Sequence, residues 1–585
     1  MDLKIQQILA VIFPFNTIIM ASNVLFKATL STFLLPLFAF LATADEFITN
    51  PVPSDAICNA TPDPSYCRAV LPWKHAQMHD FGRFSIQKSL FQTRHFSNFA
   101  KSYLLNHSTT LSQGTIRAIQ DCIFLSELNV EYLSKSNEIV MKAPETLSSS
   151  QADDAHSWLS AILTNHQTCL GGIISTTSDM STENGLLGHL SDDTKLHSLS
   201  LALFTKGWVH EEKSKPIWNS KGWHAGFRNG RLPLKMSNRT RAIYDSIRGR
   251  KEHEDDENDE ESVLISDIVI VSQDGSGNFS TINDAVAAAP INNNVSDGYF
   301  LIYVTEGVYE EYVSIPINKP YLMMIGDGIN RTIITGNHSV GDGWTTFNSP
   351  TFAVVATGFV AARMTFRNTA GPSKFQAVAM RSGADQSTFY RCSFEGYQDT
   401  LYPHSLRQFY RECDIYGTID FILGNAAVVL QNCNIYARLP LQGQFNPITA
   451  QGRTDPNQNT GISIHNCTIK AADDLAASGG SVKTYLGRPW QQYSRTVVMQ
   501  SFLDGLIDPA GWSAWSGDFA LDTLYYAEFG NKGPGANTSD RVTWPGYHVI
   551  NATDAANFAA SNFLQADDWL PRTGVPYLDG LFTAN

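Results

Sequence analysis

The chain has 585 residues, 43% of them hydrophobic and only 17% charged, with a net charge of −14. That length supports two or more domains and at least one large core. The acidic balance excludes a nucleic-acid partner and leaves an extracellular or polysaccharide partner open.

The N-terminus reads as a targeting segment. Residues 20–44, "MASNVLFKATLSTFLLPLFAFLATA", carry Lys27, an apolar run and the small residues Ala42, Thr43 and Ala44, which form a cleavage pattern. Residues 1–19 hold a second apolar stretch, "ILAVIFPFNTII". Two readings stand for 1–44: a signal peptide starting at Met1 or Met20 and cut near Ala44, which we favour, or a longer signal-anchor. No later run approaches the roughly 18 apolar residues of a spanning helix. Sequons at Asn106, Asn238, Asn330 and Asn551 fit a secretory route. The eight cysteines fall into two groups of four, as in two separately built units in an oxidising compartment.

Residues 51–210 have helical periodicity. Trp158, Leu159, Ile162 and Leu163 share one face, Ile123, Leu125 and Leu128 another, and Asp153 or Asp154 is the expected N-cap. An all-α four-helix bundle follows. Bridges Cys58–Cys67 and Cys122–Cys169 are expected to close a short hairpin and tie two helices.

Residues 211–263 read as a linker. Its end, "RGRKEHEDDENDEESV" (248–263), is basic and then acidic and cannot bury enough apolar surface to fold. A solvated tether is one reading. Processing at Arg239–Arg241 or Arg248–Lys251, releasing a pro-segment, is the other.

From 264 to 585 the pattern changes to short strands rich in Val, Ile, Phe and Thr. "FYRCSFEGY", "FYRECDIYG", "VLQNCNIYA" and "SIHNCTIKA" repeat around cysteines 392, 413, 433 and 467, at steps of 21, 20 and 34. Repeats near 20 residues with ladders of like side chains predict a mainly β domain, a right-handed parallel β-helix, with the long step absorbing a loop at 438–460. Asp399 and Asp420 each lie 7 residues after their coil's cysteine. Equal phase on adjacent coils puts them side by side, about 4.8 Å apart. Two carboxylates that close should have one pKa raised and one lowered, as a general acid and a nucleophile require. Turn capping or a structural ion is the competing reading of the spacing.

The motifs "GVYEEYV", "TTFNSPTF", "QAVAM", "GYQDTLY", "GTIDFILGNA" and "YLGRPW", in this order, resemble the plant pectinesterase (pectin methylesterase) family from about 266 to the C-terminus. The first unit resembles that family's pectinesterase-inhibitor-like pro-region, through Cys58, Cys67, "DCIFLSEL" and "WLSAILTNHQTC". The resemblance implies a secreted hydrolase of the plant cell wall or apoplast. It would cleave methyl esters of homogalacturonan by an aspartate nucleophile, with an autoinhibitory pro-domain. Asp420 would be the nucleophile and Asp399 the proton donor and base. Gln398, with Gln376, would stabilise the transition state. Arg488 would hold Asp420 ionised, Trp490 would stack on a sugar and Thr346 would contact substrate.

Neither metal nor cofactor is implied, and the partners would be methyl-esterified homogalacturonan, inhibitor proteins and a processing protease, with the mature enzyme a monomer. The resemblance favours a Cys413–Cys433 bridge, which the coil spacing permits. The sequence departs from the family pattern at Pro350, Pro403 and Leu423, the last two flanking the expected cleft. Two alternatives stand outside the enzyme class: a catalytically silent wall-binding protein, or an inhibitor acting through residues 51–210. Among other features, "DGSGNF" (274–279) reads as a turn, and His404 and His465 as structural residues. Trp512 and Trp515 could line the cleft or pack in the core.

Overall fold

The computed structural model describes residues 51–143, 146–176, 180–209, 232–248, 262–479 and 482–582. The leader expected at 1–44 lies outside them, as does the acidic run 249–261. Four long helices form the first unit: α1 (Met78–His107), α2 (Gln113–Lys142), α3 (Ser149–Thr176) and α4 (Met180–Trp208). Ser112 starts α2 by accepting from Thr115 N at 3.1 Å, which satisfies an orphan amide of the first turn. Cys122–Cys169 ties α2 to α3, and Cys58–Cys67 closes the helical hairpin before them, so both expected bridges are present. Asp153 and Asp154 do not cap α3. That helix begins earlier, at Ser149, and Asp154 instead reaches out of the bundle to Arg407.

The second unit is a parallel β-helix of three sheets with 7, 12 and 8 strands. The seven-stranded face concerns us most: β1 (Val313–Ile315), β2 (Phe352–Val354), β3 (Met380–Ser382), β4 (Leu401–Pro403), β5 (Ile422–Gly424), β6 (Asn446–Gln451) and β7 (Thr484–Pro489). Each strand pairs in parallel with the corresponding strand one coil away. Alternate side chains turn inward, so Phe352, Met380, Leu401 and Ile422 enter the core. Their neighbours Arg381, Tyr402 and Leu423 line the outer surface of the face.

The cysteine repeat is an interior ladder. Cys392, Cys413 and Cys433 each accept at their carbonyl from the next coil, through the amides of Asp414, Asn434 and Thr468 at 2.8–2.9 Å. Met364 and Ser501 hold the same place in the flanking coils, accepting from Ser393 N and Lys532 N. The residue before each rung is left-handed: Arg363, Arg391, Glu412, Asn432, Asn466 and Gln500 have φ of 50–60°. Such backbone costs on the order of 1 kcal/mol or more for a non-glycine residue, and the stacked register enforces it at every coil.

The expected Cys413–Cys433 bridge is not formed, and all four β-helix cysteines are buried free thiols. The Cys413 thiol donates to Phe389 O at 3.4 Å and the Cys433 thiol to Tyr410 O at 3.5 Å. Like rungs aim in one direction, each at its preceding coil. Backbone spacing alone does not make a bridge when the Cβ vectors run parallel.

The expected linker is partly structured. Leu234–Lys235 pairs with the strand Val263–Val271 as an edge of the twelve-stranded sheet, and Asn238–Arg248 is helical. Leu234 is buried with Val263, Ile265, Trp569 and Val575, which gives this segment the apolar surface that the acidic run lacks.

Candidate active site

The bend before β4 carries Gln398 and Asp399, and the bend before β5 carries Asp420. Leu401 is in register with Ile422, and each aspartate lies two residues before its strand's partner. Asp399 N donates to Ile419 O at 3.1 Å, which locks the two bends together. Both aspartates have left-handed backbone, φ 63° and 52°, a conformation that turns them out of the strand path. The equal phase of the sequence therefore becomes adjacency in space. Gly424 ends β5 with φ 131°, and a Cβ there would strike the carbonyl of Pro403.

The pair is almost dry, with Asp399 5% and Asp420 4% exposed. Arg488, from β7, grips Asp420 with both arms: Nε donates to Oδ1 at 2.8 Å and Nη2 to Oδ2 at 2.6 Å. Burial pushes the Asp399 carboxyl well above the ordinary range, the negative charge of Asp420 pushes it further, and Arg488 opposes both. Burial raises Asp420 as well, against the hydrogen bonds and charge of Arg488. The expected split into one raised and one lowered pKa thus becomes two raised values, because desolvation outweighs the single cation. Arg488 still distinguishes the two carboxyls, since it favours the anion at Asp420, and the charge of Asp420 favours the protonated form of Asp399.

Gln376 and Gln398 are half-buried and anchored by backbone, Gln376 O accepting from Val340 N at 2.9 Å and Gln398 O from Ala377 N at 3.2 Å. Trp490 and Thr346 line a cavity of about 260 Å³ together with Tyr402, Phe347 and Asn425. Its other wall is the bundle: Asp121 of α2 and Thr164, Gln167 and Thr168 of α3. The bundle is tied down around this cavity. Asp154 accepts from Arg407 at 2.6 Å, His404 pairs with Thr168 at 2.9 Å, and Asn425 donates to Thr164 at 2.9 Å. Gln458 donates to Ser160 O at 2.8 Å. Leu423 and Ala450 share one apolar cluster with Cys122 and Leu125 of the bundle.

Three residues near the site were missed by sequence reasoning: Arg381, Tyr402 and Phe445. Arg381 and Tyr402 sit at outward positions of strands only three residues long, where alternation offers no signal. Trp515, left undecided with Trp512, is 37% exposed and lies 4.3 Å from the Arg488 guanidinium, while Trp512 is buried against Tyr526. The centre of the Phe445 ring lies 5.9 Å from the Arg488 guanidinium. His465 hydrogen-bonds Gln500 inside the β-helix, as a structural residue. Among the described residues no group of three His, Cys, Asp or Glu side chains is arranged to hold a metal.

Residues 268–567 match the family described as "Pectinesterase", and residues 54–203 match "Plant invertase/pectin methylesterase inhibitor". The chain belongs to the pectinesterase family. It is 57% identical over 546 residues to "Probable pectinesterase/pectinesterase inhibitor 20" of Arabidopsis thaliana, covering 93% of this chain and 96% of that protein. It is 44% identical to "Pectinesterase 2" of Citrus sinensis, over 93% of this chain and 98% of the other. The solved "Pectin methylesterase from Carrot" is 54% identical with a TM-score of 0.53, and 54% of this chain spans 98% of that one. The solved carrot chain thus corresponds to about half of this chain. The two matched families correspond to the two units of the fold, a pectinesterase β-helix preceded by an inhibitor-like bundle.

Proposed function

We propose that the β-helical portion hydrolyses methyl esters of homogalacturonan in the plant cell wall. The observation carrying this reading is the in-register Asp399–Asp420 pair with Arg488 forked onto Asp420. Asp420, as carboxylate, attacks the ester carbonyl, and the amides of Gln376 and Gln398 donate to the developing oxyanion. Neither amide is committed to another side-chain hydrogen bond among the described residues. As the tetrahedral intermediate collapses, the C–O bond to methoxide breaks and the proton of Asp399 goes to the leaving oxygen, giving methanol and an acyl-Asp420 anhydride. Asp399, now a carboxylate, takes a proton from water as that water attacks the acyl carbon. Asp420 leaves as carboxylate, the product is the free galacturonic acid, which loses its proton to solvent, and Asp399 ends protonated as it began.

The raised pKa of Asp399 supports its starting protonated. Trp490 and Thr346 contact the sugar chain from the cavity wall. The intact acid pair weighs against a silent wall-binding protein.

The bundle is autoinhibitory in this reading, because it walls off the cavity that Trp490 and Thr346 line. The protein is secreted to the apoplast, and a protease separates the bundle by cutting at the basic residues around Arg248. The domains run 51–210 for the bundle, 211–263 for the connecting and processing region, and 264–585 for the enzyme, which acts as a monomer. Separate inhibitor proteins of the bundle's type would fit the same cleft.

The test is methanol release from highly esterified pectin by residues 264–585 and by the full chain. The portion should be active and the full chain at least tenfold slower. No methanol from 264–585 would sink the enzyme reading, and equal rates would sink autoinhibition.

A further inference from the structure

One side of the strand Val263–Val271 is covered by residues that precede the acidic run in the chain. Leu234 and Lys235 lie parallel to Val263 and Leu264, and Val263 N donates to Pro233 O at 2.7 Å. Gly574 leaves room for both chains there, since a Cβ on it would come within 2.5 Å of Val263 and 3.1 Å of Pro233. Ser237 then caps the helix Asn238–Arg248, its Oγ accepting from Thr240 N at 3.1 Å. Arg241 Nη2 reaches back to Leu234 O at 2.5 Å, so the short strand and the helix form one folded piece. Leu234 and Thr240 are buried, and Met236, Ile243 and Tyr244 pack on the apolar cluster around Tyr303 and Trp569. The Tyr244 ring meets Tyr303 edge-on, with centres 5.9 Å apart. A bare strand edge beside an apolar patch is a liability in solution, and this edge is built to be covered.

Resting on the processing step proposed above, we infer that this edge of the twelve-stranded sheet is an interaction surface for residues 232–248, and that it still holds them once the chain is cut at Arg248–Lys251. The partner it fits is an extended strand followed by a short amphipathic helix, recognised by strand addition and by apolar side chains. The cut severs the chain, and separation of the pieces then waits for this segment to leave the edge. Until it does, the bundle is attached twice, through its contacts around the cleft and through residues 232–248. Two linked attachments are lost far more slowly than one. A cut ahead of Leu232 leaves the bundle the first attachment alone. The two basic clusters are therefore not equivalent. Arg239 and Arg241 lie in a docked helix with Thr240 buried between them, and proteases prefer exposed, irregular chain.

The test uses the full chain with a site-specific protease sequence inserted either after Lys251 or ahead of Leu232. Each protein is cut to completion, and co-elution of its pieces in size-exclusion chromatography is followed over time. The bundle should leave at least about tenfold more slowly when the cut follows Lys251. This comparison needs no substitution. Ile243→Ser with Tyr244→Ala should bring the later cut to the release rate of the earlier one. In the uncut chain the same pair should speed trypsin cutting after Arg241 by about tenfold or more, because the helix undocks. Equal retention after the two cuts, whether both bundles stay or both leave, overturns the inference. A difference that the double variant leaves unchanged overturns it too, as does trypsin cutting that the variant does not speed. Retention is read at introduced sites and without substrate, so neither a missing natural cut nor an inactive enzyme is mistaken for its failure.

Discussion

The two units use the same number of cysteines in opposite ways. All four in the bundle are bridged, and all four in the β-helix are free. In a bundle, neighbouring helices are joined by loops and can splay, so a cross-link between α2 and α3 restricts something. In a stacked coil the register is already fixed by a backbone ladder on three faces, and a thiol there is only a small apolar filler. The functional groups divide the same way. The bundle meets the β-helix through hydroxyls, amides and the carboxylates of Asp121 and Asp154, spread over a wide contact, whereas the proposed chemistry depends on one pair of aspartates set by register. Losses in the β-helix face should therefore be large and specific, and losses in the bundle moderate and distributed.

The sharpest break of that contrast is at the acid pair. Asp420→Ala should abolish methanol release by residues 264–585, because no bond to the acyl carbon can form. Asp399→Ala should retain more, since general acid–base assistance is worth ~10²–10⁴-fold. An ester with a better leaving group should rescue acylation in Asp399→Ala and leave Asp420→Ala dead. Equal rescue of both would mean the two roles are reversed.

Arg488→Gln probes the same pair through pH. Arg488 lowers the Asp420 pKa against burial, so its removal lets that pKa rise. The ionised nucleophile is present above its pKa and lost as pH falls through it. The acid limb of the kcat/KM profile should therefore move to higher pH. Asp399 is needed protonated, and its pKa lies higher, so the alkaline limb belongs to it. A shift of the acid limb downward would contradict the assignment.

The cysteine contrast is tested by stability. The Cys122–Cys169 bridge joins residues 47 apart, and the loop-entropy estimate for a loop of that size is about 4 kcal/mol. Cys122→Ser with Cys169→Ser should therefore destabilise the bundle by about that much in denaturant unfolding of the full chain. Cys413→Ala with Cys433→Ala removes two buried sulfurs and no cross-link. It should cost about 1–2 kcal/mol, and reductant should leave the β-helix transition of the wild-type protein unmoved. A reductant-sensitive β-helix would show that a bridge forms there after all.

How much of this was legible in the sequence follows from what repeats. The cysteine rungs share a phase with Asp399 and Asp420, so one period located both the coils and the acid pair. The coils through Met364 and Ser501 were missed because the rung keeps its place while its residue type changes. The Cys413–Cys433 bridge was expected from a spacing that says how far apart two backbones are and nothing about where their thiols point. Asp154 fitted an N-cap by composition, but α3 starts at Ser149, and the tertiary partner Arg407 is 253 residues away. Arg381 could not be found in advance, since what marks it is a buried guanidinium with no hydrogen-bond partner at Nε or Nη1, and that is a property of the folded surface alone.

Asp154 offers the mildest test of the contrast, and the one that isolates coverage from chemistry. Arg407 is buried and bonds Asp385 of its own unit at 2.7 Å as well as Asp154 of the bundle at 2.6 Å. Removing Asp154 therefore leaves the guanidinium still paired, and the loss should stay near one charge-assisted hydrogen bond, about 1.5 kcal/mol or roughly tenfold in the open population. In the full chain Asp154→Ala should raise basal methanol release by up to that factor. In residues 264–585 the position does not exist, so the rate there is the ceiling the variant approaches. Asp55→Ala serves as control, because Asp55 pairs with Arg68 on the exposed surface of the bundle and should leave the rate unchanged. If Asp154→Ala and Asp55→Ala behave alike, the contact at Arg407 does not hold the bundle over the cleft, and coverage rests on the apolar cluster around Leu125 and Leu423 and on the hydrogen bonds of His404, Asn425 and Gln458.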